Sequence, residues 1–126
     1  MTKRIIALAA VLSAIAPTAA LAGVWMTVVK KTAHGSATVS FSHSVSHPAA
    51  LRLKSVATTR AWTHWILSCT SGGGSIKSSS GTWRPSAGTT TKALPMGISS
   101  PSSCQVSVSL GQAGLSGTVT VSLQKR

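Results

Sequence analysis

Apolar and polar residues alternate along most of the chain after residue 23. Within residues 37–47 the odd positions are mostly apolar or His and the even positions are Ser or Thr. The same period of two returns in residues 51–54, 104–110 and 118–124. Successive residues of a strand point to opposite faces of its sheet, so this pattern predicts strands with one face on a core and the other in water.

The pattern predicts strands at about 24–31, 36–46, 51–57, 60–69, 104–110 and 117–124, with one or two weaker strands between 75 and 98. No stretch of this region has a helical period, and Ser and Thr, 37 of the 126 residues, disfavour helix interiors. Glycine and proline mark the turns, and the glycines of 111–117 predict a turn closing a C-terminal hairpin. We therefore expect an all-β fold.

Large side chains occupy both faces of the segment 60–69, which predicts a central strand. Cys69 shares a face with Trp65, and Cys104 shares one with Val106, so both cysteines point where core residues point. We predict one disulfide, closing a loop of about 36 residues; free thiols or a metal pair are the alternative. The expected fold is a small antiparallel β-sandwich, immunoglobulin-like in general architecture only, because the chain has no Tyr for a tyrosine corner and its cysteines are closely spaced.

The first residues have the pattern of a secretory signal. Lys3 and Arg4 precede an apolar run over 5–16, and Ala20 and Ala22 are small residues at the positions that a signal peptidase reads. We expect a signal peptide over 1–22, a single β-sandwich domain over 23–126, and a secreted product, extracellular or periplasmic. The alternative is an N-terminal anchor helix that stays attached.

The charge of the chain is one-sided, with 12 Lys and Arg and 0 Asp and Glu. Carboxylate pairs for acid–base catalysis, catalytic triads with an acid and carboxylate cages for Ca²⁺ or Mg²⁺ are therefore excluded. We expect no enzyme activity and no cofactor. Cations without internal counter-charges favour an anionic partner, such as a cell-wall polymer or an acidic polysaccharide. The alternative is that the charge serves solubility or acid tolerance.

Two groups of residues are candidates for binding. Arg52 and Lys54 share a strand face and lie close in sequence to Arg60, which predicts a basic patch; an ordinary solvated strand face is the alternative. Trp83 and Arg84 stand in a predicted loop, where the indole either stacks on a ligand or folds back over the end of the sandwich.

Three further observations concern the places of the tryptophans, metal binding and nucleic-acid binding. Trp62 and Trp65 are expected in the core, and Trp25 fits either the core or the surface. His43 and His47 share a strand face but lie about 13 Å apart, too far to chelate one ion, so we predict no metal site. The sequence contains no zinc-finger spacing and no RNA-binding sheet motif, so no specific nucleic-acid motif is predicted.

The sequence thus predicts a secreted, small, basic β-domain that binds an anionic surface or polymer electrostatically, as a monomer without a transmembrane segment once the signal is removed. A cationic antimicrobial or toxin-like protein is one alternative, which leakage of anionic vesicles tests. A structural surface or assembly subunit is another, which light scattering tests.

Overall fold

The computed structural model describes residues 24–126, so the predicted signal peptide lies outside the described residues. The described chain forms eight strands, close to those that the alternation predicts. The region 75–98, where one or two weaker strands are expected, contains two. The strands are β1 (Met26–His34), β2 (Val39–Ser46), β3 (Leu51–Ala57), β4 (Ala61–Thr70), β5 (Ile76–Trp83), β6 (Gly88–Ala93), β7 (Ser103–Gln112) and β8 (Thr118–Lys125).

The strands form two four-stranded antiparallel sheets packed face to face. The first sheet has the order β1-β8-β3-β6 and the second has the order β2-β7-β4-β5. Strand β1 pairs with β8, β2 with β7, β3 with β6 and β4 with β5. The chain therefore forms one long hairpin whose tip is the β4–β5 turn. This hairpin is wrapped around itself, which is the connectivity of a jelly roll. The predicted antiparallel β-sandwich is confirmed, and this strand order distinguishes it from the immunoglobulin connectivity.

The connection between β7 and β8 passes from one sheet to the other. Strand β7 lies between β2 and β4 in the second sheet, whereas β8 lies between β1 and β3 in the first. The hairpin predicted at residues 111–117 is therefore wrong: Gly117 turns the chain with φ 100°, and its carbonyl accepts a hydrogen bond from Gly35 N at 3.0 Å. Glycine marks a change of direction, but it does not say which sheet the next strand joins. Among the described strands, only β4 and β5 are consecutive and paired.

The core lies between the two sheets and is built from the inward positions of the alternating strands. Leu51 and Leu53 on β3 and Val119, Val121 and Leu123 on β8 are almost fully buried. The second sheet contributes Leu67, Val106, Val108 and Leu110, which are buried to the same degree. The predicted apolar faces of these strands are therefore confirmed as core faces.

The predicted disulfide is present. Cys69 on β4 and Cys104 on β7 are directly opposed in register, with 4.0 Å between their Cα atoms. The bridge therefore joins two central strands of one sheet. In immunoglobulin domains the corresponding bridge joins the two sheets to each other.

The two tryptophans of β4 lie on opposite sides of their sheet. Trp65 is buried in the core, as expected, with 5% of its surface exposed. Trp62 is half-buried on the outer face, so the prediction of a core position was wrong for it. The two residues are three positions apart, and an odd separation places strand residues on opposite faces.

Candidate functional site

The outer face of the first sheet contains the two central residues of the predicted basic patch. Leu51 and Leu53 point into the core, so Arg52 and Lys54 point outward from β3, and both are half-buried. The strand face predicted for this pair is confirmed. Because β3 is a central strand, neighbouring strands can add charges to the same face.

Strand β1 adds Lys30 to this face. Ser122 on β8 pairs with Lys30 on one side and with Lys54 on the other, so the three residues form one row across the sheet. Two strand spacings separate the Cα atoms of the lysines by about 9–10 Å. The sequence pattern does not predict this row, because the row depends on the pairing of β1 with β8 and of β8 with β3, strands that are far apart in the chain.

Trp25 is the centre of an arginine cluster at the end of this face. The guanidinium carbon of Arg52 lies 4.4 Å from the ring centroid of Trp25, and that of Arg126 lies 4.8 Å from it. Main-chain hydrogen bonds between Arg126 and Ala50 hold the end of the chain beside the start of β3. Two cations therefore stack on one indole, in the geometry of a cation–π interaction.

A hydrogen-bonded row fixes the orientation of Arg52. Its Nε donates to Oε1 of Gln124 at 2.7 Å, and Nε2 of Gln124 donates to Oγ1 of Thr27 at 3.0 Å. Gln124 points outward and yet is only 7% exposed, so the cluster covers it. The bond to Gln124 uses one of the five N–H donors of the guanidinium group. The arrangement presents a pre-oriented guanidinium, the group that binds phosphate, sulfate or carboxylate in a bidentate manner.

The other candidate residues lie at the opposite end of the sandwich. Arg60 is exposed in the turn between β3 and β4, and Arg84 is exposed just after β5. A hydrogen bond of 3.0 Å from Ala61 N to Pro85 O holds these two segments together. Trp83 ends β5, is half-buried and packs against the core, as the alternative interpretation of this residue expected. The structure therefore divides the predicted set, with Arg52 and Lys54 on the outer face of the first sheet and Arg60, Trp83 and Arg84 at one end of the sandwich.

The charges of the described domain are unevenly distributed. Ten of the twelve Lys and Arg lie in residues 24–126, and none has a side-chain carboxylate to pair with. Lys30, Arg52 and Lys54 lie on the outer face of the first sheet. The others lie on strands at the sheet edges or at the two ends of the sandwich, and no strand residue on the outer face of the second sheet is Lys or Arg. The first sheet therefore presents the charged side of the molecule.

Within the described residues the structure shows neither a membrane-spanning helix nor a cluster of metal ligands. Residues 24–126 contain no helix with the length and apolar character of a membrane span. The same residues contain no group of three or more His, Cys, Asp or Glu side chains that could hold a metal ion.

The chain matches no protein-family model and no curated protein. Several solved structures are similar in part. One is the structure of infectious bursal disease virus Gx strain, with 14% identity, a TM-score of 0.38 and coverage of 79% of this chain and 32% of that chain. Another is TmCBM61 in complex with β-1,4-galactotriose, with 13% identity, a TM-score of 0.43 and coverage of 75% and 69%.

A third is a family two carbohydrate esterase from Clostridium thermocellum in complex with cellohexaose, with 15% identity, a TM-score of 0.42 and coverage of 76% of this chain and 24% of that chain. The present chain thus spans about a third of the viral protein and about a quarter of the esterase. These likenesses are too distant to assign a function.

Proposed function

We propose that this protein is an exported β-sandwich domain that binds an anionic polymer electrostatically through the outer face of its first sheet. The observation that carries the proposal is that one sheet face presents the row of Lys30 and Lys54 together with Arg52, which stacks with Arg126 on Trp25, in a chain with 0 Asp and Glu. Cations without internal partners draw counter-ions from solution. A polyanion that replaces several of these ions at once gains free energy from their release.

Export is part of the proposal. The signal-like pattern of residues 1–22 supports it, and so does the disulfide between Cys69 and Cys104, because such bonds persist mainly in oxidising compartments. Cell-wall polymers and acidic polysaccharides are anionic polymers that an exported protein meets, so they are the proposed partners.

The test compares two double variants with the same net charge. Lys30→Gln with Lys54→Gln removes two cations from the proposed face, and Lys77→Gln with Lys92→Gln removes two from edge strands. At about 1 kcal/mol for each cation, the first variant is expected to bind immobilised heparin or polyphosphate about thirtyfold more weakly. The second is expected to lose less than about threefold, because Lys77 and Lys92 pair with the inward-facing Cys69 and Leu53, so neither lysine points outward on the proposed face.

The wild-type protein should also elute from the same column as NaCl is raised, since salt screens exposed charges. Equal losses in the two double variants would show that net charge alone determines binding and that the face has no role. Retention that does not change up to about 0.5 M NaCl would contradict electrostatic binding itself.

A further inference from the structure

The outer face of the second sheet is an uncharged array of hydroxyl groups. Alternate residues of its four strands point outward, and the only ionisable residue among them is His64. Neighbouring strands are spaced by about 4.8 Å and alternate residues of one strand by about 6.7 Å. We call this surface the hydroxyl face; its hydroxyl residues are Ser40, Ser42, Ser44, Ser46, Ser68, Thr70, Ser78, Ser80, Thr82, Ser103, Ser107 and Ser109.

The hydroxyls of adjacent strands are paired. Ser42 Oγ lies 2.7 Å from Ser107 Oγ, and Ser40 Oγ lies 3.0 Å from Ser109 Oγ. A hydroxyl is both a donor and an acceptor, so each pair uses one hydrogen between its two oxygens and keeps the other hydrogen for a ligand. The face therefore presents a regular set of donors and acceptors that carry no charge.

These serine pairs lie beside a shallow depression of about 330 Å³. His64 and Ile66 on β4 are larger than the serines of β2 and β7 and form its wall. Ile66 is 50% exposed, although it occupies a central strand. The depression therefore combines an apolar surface with hydroxyl partners.

A second apolar group lies further along β4. Trp62 is half-buried against Gly111 of β7, where an added Cβ would lie 2.7 Å from Cζ2 of the indole. Because Gly111 has no side chain, the indole of Trp62 can pack flat against the sheet. The outward positions of β4 thus present Trp62, His64 and Ile66 in one line.

We propose that the hydroxyl face binds a neutral polysaccharide, with a segment of the sugar chain in the depression against Ile66. A sugar ring has apolar C–H surfaces and a rim of hydroxyls, so it matches an isoleucine flanked by serine pairs. Small-ligand sites have volumes from about 300 Å³, which suits a short segment of chain. This site is separate from the proposed anion-binding face, and neither depends on the other.

Other classes of partner fit the hydroxyl face less well. An anionic polymer finds no Lys or Arg among the outward strand residues of this face. Cores of protein interfaces are depleted in Ser, which dominates here. A second copy of the chain brings the same excess of positive charge and is repelled. A neutral, hydroxyl-bearing polymer meets none of these obstacles.

The experiment measures retention on cellulose, chitin, mannan and starch in 1 M NaCl, where the screening length is about 3 Å and electrostatic binding is suppressed. Ile66→Arg places a charge and a larger side chain in the depression. Val56→Arg is the matched control, because Val56 is 48% exposed on the outer face of the first sheet. Ser42→Ala with Ser107→Ala removes two hydroxyls without adding volume, and Ser122→Ala is its control.

We expect the wild-type protein to be retained on at least one of these polymers. The Ile66→Arg variant should bind at least about tenfold more weakly, the Ser42/Ser107 variant should also bind more weakly, and both controls should bind like the wild type. Circular dichroism checks that each variant is folded.

Failure of the wild type on all four polymers would overturn the proposal, and so would equal binding by Ile66→Arg and Val56→Arg. Sedimentation in the same salt provides a further check. If the wild type is a dimer there and Ile66→Arg is a monomer, the face joins two copies of the chain and the proposal is wrong. None of these outcomes alters the heparin test, which reports on the other sheet at low salt.

Discussion

Gly81 leaves room for the indole of Trp65 on the inner face of the second sheet. The two residues are paired across β4 and β5 with their inner faces together, and a Cβ on Gly81 would lie 2.9 Å from Cζ2 of Trp65. Trp65 is 5% exposed and belongs to the buried core cluster, so the indole has little freedom to move away. The absence of a side chain at residue 81 therefore determines how the largest core residue packs.

We expect Gly81→Ala to destabilise the fold by about 1–3 kcal/mol, the usual cost of overpacking a core. Gly72→Ala is the control, because no atom lies within 4 Å of the Cβ that it adds and Gly72 is outside the left-handed region of φ. Its effect should stay within about 1 kcal/mol and favour the folded state, since alanine restricts the unfolded chain. Urea unfolding measures both, and equal effects at the two glycines would contradict the packing argument.

At the scale of strands, the disulfide joins β4 and β7, the two central strands of the second sheet. These strands are already hydrogen-bonded along their length. The bond therefore adds little to the native structure of the sheet, and its main effect is to restrict the unfolded chain between residues 69 and 104.

Replacing Cys69 and Cys104 by Ala is expected to lower the free energy of unfolding by about 3–4 kcal/mol, the value for a loop of this length in the chain-entropy model. Circular dichroism of the double variant should still show the β-sheet spectrum at low temperature, because the pairing of β4 with β7 does not depend on the bond. A loss of stability below about 1 kcal/mol would show that the unfolded chain is already restricted in this region.

At the scale of the whole molecule, the composition predicts an unusual response to acid. Acid unfolding ordinarily results from protonation of Asp and Glu whose carboxylates are stabilised in the folded state, so their folded pKa is depressed and stability falls with pH. This chain has 0 Asp and Glu. Its four histidines are exposed or half-buried, so folding traps none of them in the core.

We therefore expect the free energy of unfolding to stay nearly constant between about pH 2 and 5, because the chain has none of the Asp and Glu side chains that ordinarily titrate in that range. Carboxylate side chains then contribute nothing to the difference in bound protons between the folded and unfolded states, so the slope of stability against pH is close to zero. Thermal unfolding at constant ionic strength measures this. A cooperative loss of structure near pH 3 would contradict it.

The candidate site shows where prediction from the sequence stops. Alternation alone placed Arg52 and Lys54 together on one face, because both are neighbours of buried leucines on the same strand. Lys30, Trp25 and Arg126 join them only through the pairing of β1, β8 and β3, which brings together residues far apart in the chain. Arg60 is close to Lys54 in sequence, but it lies past the far end of β3.

The sequence by itself determined the strands, their buried faces and the pairing of the two cysteines, because a period of two and the positions of glycines are local properties of the chain. Tertiary structure decided which sheet each strand joins, and with it the jelly-roll order, the crossing between β7 and β8 and the position of Trp62 on an outer face. The same pairings separated a charged face from an uncharged one. Register between distant strands depends on how whole faces pack against each other, and no short stretch of sequence contains that information.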